Sequence, residues 1–502
     1  MTRSLIFADN MHCSNKILFF LLVMATLTWV SCNRELEGII TANQAPETHT
    51  VADTIIRFGE NRLESEVDLR WWGDDADGFV TGYEFTFDAV LTPATIWTYT
   101  EAQDSTFILA PPAGADSADY VFHIRAIDNN GEKDPTPASL IIPVKNSPPT
   151  ITIIKGINTP LKTFPVLKFY WEGNDPDGTD NLMQFEVYFN DTLNEPYILD
   201  KTVTSAIFEA QDPMVTELIC DVYQNAATTP NAITINGLIA NAWNKLYIRS
   251  VDQSEAKSAF AVSDSVYVKK VNSNVLMVNG YTTTTNETFY ANNLIANGIT
   301  VFDTTQIFEQ TGGNYTQQSA DNITQGKVFD LFEVIIWFSN NADNSFSLAQ
   351  KTTEAFFNSG GKMLMSVYIS SSFDPLSNFL DFTPIAELVN PVDTTLILDL
   401  GAQLNPLDIE YPTLQGTAIV GIVKPIILQI GATPLYEAEL TAKDNITLSL
   451  TPWTGPSIVI AKKSDFTGNT NFVISTLELN KLDGLLNMQD LFQKILVDEF
   501  GL

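Results

Sequence analysis

An eight-residue stretch that occurs twice decides the fold: WWGDDADG at 71–78 and WEGNDPDG at 171–178 of a 502-residue chain. In each copy the residues that lead into the first tryptophan alternate with the period of two that is typical of a β-strand. This alternation places Trp71 and Trp171 on an inward face. It places Trp72 on the outward face, where the second copy has Glu172.

A second shared signature closes each copy, FHIRAID at 122–128 and LYIRSVD at 246–252. Short strands separated by turn signals, with about 100 residues in each unit and a core tryptophan, predict β-sandwiches. The pattern resembles fibronectin type III and related immunoglobulin-like domains of secreted bacterial proteins. The resemblance implies two all-β sandwiches, at 51–147 and 148–272, with the linker sequence NSPP at 146–149 between them.

From about residue 273 the pattern changes to strands that alternate with helices. The continuous apolar run VLMV at 275–278 is typical of a buried parallel strand. We predict further strands at 299–302, 334–338, 362–367, 457–460 and 472–475, and helices at 290–296, 348–358 and 488–500. This order favours a doubly wound α/β domain.

The layout of 273–502 resembles the class I glutamine amidotransferase-like fold, a flavodoxin-like arrangement. The resemblance implies a cysteine nucleophile after one strand and a histidine further along the chain. Ser366 stands nearest the nucleophile position, the only histidines are at 12, 49 and 123, and no cysteine follows Cys220. Neither a Cys-His pair nor a Ser-His-Asp triad can form within the domain. We therefore expect a catalytically degenerate domain with no catalytic residues.

The charge composition of the chain argues against nucleic acid as a partner. The chain has 27 Lys and Arg against 60 Asp and Glu, a formal charge of -33, which repels nucleic acid. No phosphate-binding glycine loop is present, so we expect no nucleotide cofactor. We expect Cys220, which lies in an apolar run, to be a buried free thiol.

The Asp-x-Asp-Gly segments at 75–78 and 175–178 allow two interpretations. Spaced carboxylates and a turn glycine suit a calcium loop, but such a loop needs further ligands, including a downstream glutamate at a fixed spacing. None stands there. We expect ordinary turns in which aspartate caps the backbone, and no metal site.

The first 31 residues have the features of a signal peptide, with an apolar stretch at 17–27 that is short for a membrane span. The sequence WVSC at 29–32 resembles the lipobox of bacterial lipoproteins. The resemblance implies that Cys32 is lipidated, that 32–50 is a tether and that the body is held at the outer membrane. An ordinary secretory peptide with a chance cysteine is the alternative.

These features favour a non-enzymatic lipoprotein of the cell envelope that binds or scaffolds a protein or a glycan. Trp72 is the candidate ligand platform, because an exposed tryptophan often marks a binding surface. A hydrolase that uses two carboxylates, such as a glycoside hydrolase, is an alternative that needs no histidine. A purely structural spacer is another.

The lipid anchor predicts a specific label. Cells that express the chain and grow with a radioactive fatty acid should label the wild type, whereas Cys32→Ala should carry no label and leave the membrane fraction. A Ser31→Ala variant, which keeps a small residue before the cysteine, is the control and should label normally. Label on Cys32→Ala would contradict the prediction.

Overall fold

The structure is a computed structural model that describes residues 42–51, 66–155, 160–281, 286–307, 316–319, 321–373 and 380–502. The predicted signal peptide and Cys32 lie outside these residues. The described residues divide into two compact units. The first unit holds most of the first sandwich, and the second holds the second sandwich together with the third domain. Among the helices that are described, none has both the length and the apolar character needed to cross a membrane.

The first sandwich has two sheets. Its strands are β1 (Glu47–Thr50), β2 (Glu66–Asp74), β3 (Val80–Thr86), β4 (Thr98–Thr100), β5 (Asp104–Ile108), β6 (Ser117–Asp128) and β7 (Ala138–Lys145). The sheet orders are β1-β2-β5 and β4-β3-β6-β7. Strand β1 pairs antiparallel with β2, so the first sandwich includes residues 47–50, which the sequence analysis had assigned to the predicted tether. The side chain of Thr48 is buried and lies on the inward side of β1. The strand was not predicted because the composition of this segment is polar.

The second sandwich has more strands. They are β8 (Thr150–Ile153), β9 (Lys162–Thr163), β10 (Val166–Asn174), β11 (Leu182–Phe189), β12 (Tyr197–Asp200), β13 (Ser205–Ala210), β14 (Glu217–Gln224), β15 (Ile235–Ile239), β16 (Ala242–Asn244), β17 (Leu246–Asp252), β18 (Ala261–Val262) and β19 (Val266–Val268). The main sheets are β15-β14-β13-β10-β8 and β12-β11-β17-β18, and a small sheet β16-β19-β9 adjoins them. One apolar cluster joins residues of both main sheets, as the sandwich prediction requires.

The core tryptophans occupy equivalent places in the two sandwiches. Trp71 on β2 is 2% exposed and Trp171 on β10 is 1% exposed, whereas Trp72 is 43% exposed, which confirms the predicted facing. The ring of Trp71 packs against Phe122, and that of Trp171 packs against Phe185. Each tryptophan therefore contacts an aromatic side chain of the opposite sheet.

The closing signature carries a repeated ion-pair cluster. Arg125 lies 2.6 Å from Glu84, and Arg249 lies 2.6 Å from Glu186 in the second copy. Burial raises the pKa of Glu186, but hydrogen bonds from Lys257 and Arg249 outweigh it and hold the pKa below its usual value. Each arginine therefore links two neighbouring strands of one sheet within its own sandwich.

The third domain is built on one large sheet. Its strands are β20 (Val275–Asn279), β21 (Asp303–Gln306), β22 (Thr316–Gln317), β23 (Val334–Ser339), β24 (Lys362–Val367), β25 (Ile385–Leu388), β26 (Thr394–Ile397), β27 (Gln403–Pro406), β28 (Leu414–Gln415), β29 (Ile426–Leu428), β30 (Thr433–Ala438), β31 (Thr441–Asp444), β32 (Leu450–Pro452), β33 (Ile458–Ser464) and β34 (Thr470–Ser475). The helices are α1 (Glu287–Ala296), α2 (Asn322–Phe329), α3 (Ala342–Thr352), α4 (Glu354–Asn358) and α5 (Met488–Phe492), which a π-helix at Gln493–Glu499 continues.

The large sheet is mixed, with the order β22-β21-β20-β23-β24-β34-β33-β30-β27-β28. The strands from β22 to β34 are parallel, and those from β33 to β28 are antiparallel. The structure therefore does not support the predicted doubly wound domain, and the described helices are few and short. Residues 385–452 form short strands rather than a crossover helix, and the predicted strand 299–302 lies instead at Asp303–Gln306.

The second sandwich and the third domain share an apolar core. Val166, Ile207 and Tyr223 of the sandwich belong to the same buried cluster as Phe329 and Phe332 of the third domain. An ion pair joins the same surfaces, because Nζ of Lys327 lies 2.8 Å from Oε2 of Glu209 and 3.5 Å from the ring centre of Tyr223. The outward side chains at the start of β10, Val166 and Lys168, are thus buried, whereas Glu172 near its end is exposed.

Truncating the core tryptophans should test this packing. Trp71→Ala and Trp171→Ala each remove a buried indole, so we expect each to lose about 3–5 kcal/mol of unfolding free energy. Trp72→Ala is the matched control and should change it by less than about 1 kcal/mol. Urea unfolding followed by circular dichroism measures the losses, and equal losses for Trp71→Ala and Trp72→Ala would contradict the assignment.

Candidate functional site

Ser366, the residue nearest the expected nucleophile, is fully buried near the carboxyl end of β24. Its Oγ lies 2.9 Å from Oη of Tyr290 and accepts a hydrogen bond of 3.0 Å from the backbone N–H of Leu479. The hydroxyl also lies 3.3 Å from the carbonyl oxygen of Leu477. The side chain therefore serves the packing of this edge and is not exposed to a substrate.

None of the described groups around Ser366 is placed as a general base. Burial raises the pKa of Tyr290, and it also raises the pKa of Tyr281, whose hydroxyl donates to Oε1 of Glu478 at 2.7 Å. Glu478 is itself paired with Lys481 and almost fully buried. The described residues of this edge hold strands and loops together, and none of them is arranged as an activated nucleophile.

Trp72 lies where the sequence placed it, on the outward side of β2. His49 pairs with Trp72 across the β1–β2 ladder, and the two rings stack with centroids 5.3 Å apart. Nε2 of His49 lies 3.4 Å from Oδ2 of Asp74. The result is a flat aromatic surface with an acidic edge, and a surface of this kind can bind a ring or an apolar side chain.

A second aromatic surface escaped the sequence analysis. Trp243 on β16 is 53% exposed, and its ring meets that of Tyr267 on β19 edge to face at 5.5 Å. The pair lines a cavity of about 450 Å³ together with Asn241, Lys162 and Lys269. The only sequence signal was one tryptophan in a polar turn, and the lysines come from segments far apart in the chain.

The two Asp-x-Asp-Gly segments form turns, as predicted. Oδ1 of Asp175 accepts from the backbone N–H of Asp177 at 2.8 Å, and Oδ1 of Asp75 accepts from Asp77 at 3.3 Å. Gly178 has a positive φ of 103°, which suits glycine. The second turn is the more buried, since Asp175 is 3% exposed and Asp177 is 0% exposed.

Carboxylates from the closing signature also reach these turns. Asp252 at the end of β17 is fully buried, and burial raises the pKa of Asp175 to about 6, with contributions from the charges of Asp177 and Asp252. Within the described ranges, no group of three or more His, Cys, Asp or Glu side chains is already arranged to hold a metal ion. Sequence spacing alone did not reveal Asp252, because it lies in a different strand.

No protein-family model matches the chain, and no curated protein is similar to it. Among solved structures, it is similar to the fibronectin(III)-like modules of CbhA from Clostridium thermocellum, with 13% identity over 44% of this chain and 94% of that chain and a TM-score of 0.17. It is also similar to the central fibronectin-III array of RIM-binding protein, with 14% identity over 46% and 71% and a TM-score of 0.15.

A third similar structure is chitinase ChiA74 from Bacillus thuringiensis, with 14% identity over 45% of this chain and 29% of the chitinase and a TM-score of 0.15. TM-scores this low carry no argument about the fold or the function of this chain. The sandwich architecture rests on the strand pairing and the shared cores described above.

Because the pKa of Asp175 is raised, removing its charge should stabilise the folded protein in a pH-dependent way. An aspartate whose pKa is higher in the folded state is destabilising when ionised, and the effect is absent below the unfolded value of about 3.9. In EDTA, Asp175→Asn should therefore increase the melting temperature at pH 8 and leave it nearly unchanged at pH 4. Asp180→Asn, an exposed neighbour, is the control and should have little effect at either pH. A loss of stability at pH 8 would contradict the prediction.

Proposed function

We propose that the chain is a non-enzymatic lipoprotein of the cell envelope, anchored through Cys32 in the outer membrane, that binds a protein or a glycan. Its sandwiches are of the fibronectin type III or immunoglobulin-like kind, and its third domain is a mixed-sheet domain that the chain carries beside them. The burial of Ser366 is the observation that carries the non-enzymatic part of this proposal. Its hydroxyl is held by Tyr290 and Leu479, and none of the described side chains around it is placed as a base.

A carboxylate-based hydrolase is less well supported. Such an enzyme needs one carboxyl group with a raised pKa beside another, with room for a sugar between them. Asp175 has a raised pKa and has Asp177 and Asp252 as neighbours, but all three are buried. A sugar has no access to this group of carboxylates.

The binding surfaces of the proposal are the aromatic pairs on the two sandwiches. Trp72 with His49 offers a flat face. Trp243 with Tyr267 offers a face beside Lys162 and Lys269, and Lys269 is already paired with Asp303. Exposed tryptophans are common among the residues that dominate binding energy.

The full chain, purified in detergent, should be screened against glycan arrays and used to pull down partners from native envelopes. We expect a specific ligand whose affinity falls at least tenfold in Trp72→Ala or in Trp243→Ala, which is about 1.4 kcal/mol. Phe466→Ala, which removes a 99% exposed ring of the third domain, is the matched control and should bind normally. Turnover of a glutamine, ester, peptide or glycan substrate that Ser366→Ala abolishes would overturn the proposal.

A further inference from the structure

The second Asp-x-Asp-Gly turn gathers oxygen atoms from separate parts of the chain. Asn146 in the linker donates from Nδ2 to Oδ2 of Asp252 at 2.6 Å. The next backbone N–H, that of Ser147, donates to Oδ2 of Asp177 at 2.6 Å. Nδ2 of Asn181 lies 3.3 Å from Oδ2 of Asp175. The polar side chains that sequence spacing did not reveal thus come from the linker, a short 3-10 helix at Thr179–Asn181 and β17.

This cluster has strong negative charge and almost no solvent. Asp175, Asp177 and Asp252 are 3%, 0% and 0% exposed. Within the ranges that the structure describes, no lysine or arginine forms an ion pair with Asp175 or Asp252. Buried carboxylates are expensive unless they are paired or coordinate a metal, and among the described residues Asp175 and Asp252 have no such positive partner.

Two amide oxygens beside the carboxylates have no partner. Asn181 is 0% exposed, its amide contacts Asp175, and its Oδ1 is buried without a hydrogen bond. Oδ1 of Asn146, whose amide contacts Asp252, is also buried without one. Buried acceptors of this kind call for an explanation, and an unplaced ion is one of the common ones.

The first sandwich repeats the arrangement in a more open turn. Nδ2 of Asn43 donates to Oδ2 of Asp128 at 2.5 Å, and the backbone N–H of Gln44 lies 3.2 Å from Oδ1 of Asp77. Oδ2 of Asp75 is buried without a partner. The same asparagine, turn and strand-end aspartate therefore recur, which ties the arrangement to the repeat and not to one loop.

We propose that the second turn binds Ca²⁺ through the carboxylates of Asp175, Asp177 and Asp252 and the amide oxygens of Asn146 and Asn181. Calcium accepts irregular cages of carboxylate and amide oxygens, whereas Mg²⁺ requires near-ideal octahedral geometry. The amide nitrogens of both asparagines now face carboxylates, which is why no closed cage is present. Rotation of each amide by half a turn brings its oxygen toward the cluster.

The test uses the full chain, purified in detergent and freed of metal with EDTA. Isothermal titration with CaCl₂ should show saturable binding, and free Ca²⁺ at 100 times the dissociation constant should raise the melting temperature of the second unit by about 5 °C. The same concentration of MgCl₂ should give a much smaller rise. An equal rise with Mg²⁺ would overturn the assignment to calcium.

Two variants separate a calcium ligand from a structural aspartate. Asp175→Asn should abolish the calcium-dependent rise while leaving the chain folded in EDTA. Asp465→Asn, an exposed turn aspartate whose Oδ1 accepts backbone N–H groups of Thr467 and Asn469, is the control and should keep the full rise. Absence of saturable binding by the wild type, or a full calcium response in Asp175→Asn, would overturn the proposal.

Discussion

The indole N–H of each core tryptophan has a backbone acceptor, and both sandwiches depend on this hydrogen bond. Nε1 of Trp71 donates to the carbonyl oxygen of Ala102 at 3.0 Å, and Nε1 of Trp171 donates to that of Val203 at 2.8 Å. The backbone N–H of Trp71 donates to the carbonyl oxygen of Gln103, and that of Trp171 donates to the carbonyl oxygen of Thr204, each at 2.9 Å. Each tryptophan thus packs in the core and contacts the other sheet. Its hydrogen bonds also hold the residues that lead into the next strand. The repeated signatures are arranged around this anchor.

The repeat made the sandwiches predictable, because alternation tells which side of a strand faces the core. Alternation does not tell whether the other side meets water or protein. Yet the second copy has Val166 and Tyr170 where the first has Glu66 and Arg70, a difference that signals a covered face. The third domain was harder, since its strand β21 carries buried polar residues such as Asp303 and its antiparallel strands lack a long apolar run. The candidate calcium ligands were out of reach for a different reason, because they come together only when distant strand ends meet.

Two groups of buried hydrogen bonds lie at the carboxyl edge of the parallel strands. Ser366 bonds to Tyr290 and to the backbone N–H of Leu479, and Glu478 accepts from Tyr281. Buried hydrogen bonds of this kind rigidify the region around them. The binding surfaces that we propose lie elsewhere, on the exposed rings of Trp72 on β2 and Trp243 on β16.

The apolar core shared by the second sandwich and the third domain limits how this protein can evolve. A free-standing β-sandwich can be duplicated, lost or exchanged by recombination, because its outer faces are already suited to water. The second sandwich cannot be exchanged in this way, because Ile207 and Tyr223 would be exposed to water without Phe329 and Phe332. A gene fusion or a truncation placed between these two domains would produce two fragments with exposed apolar surfaces that favour aggregation. The two domains must therefore be inherited together.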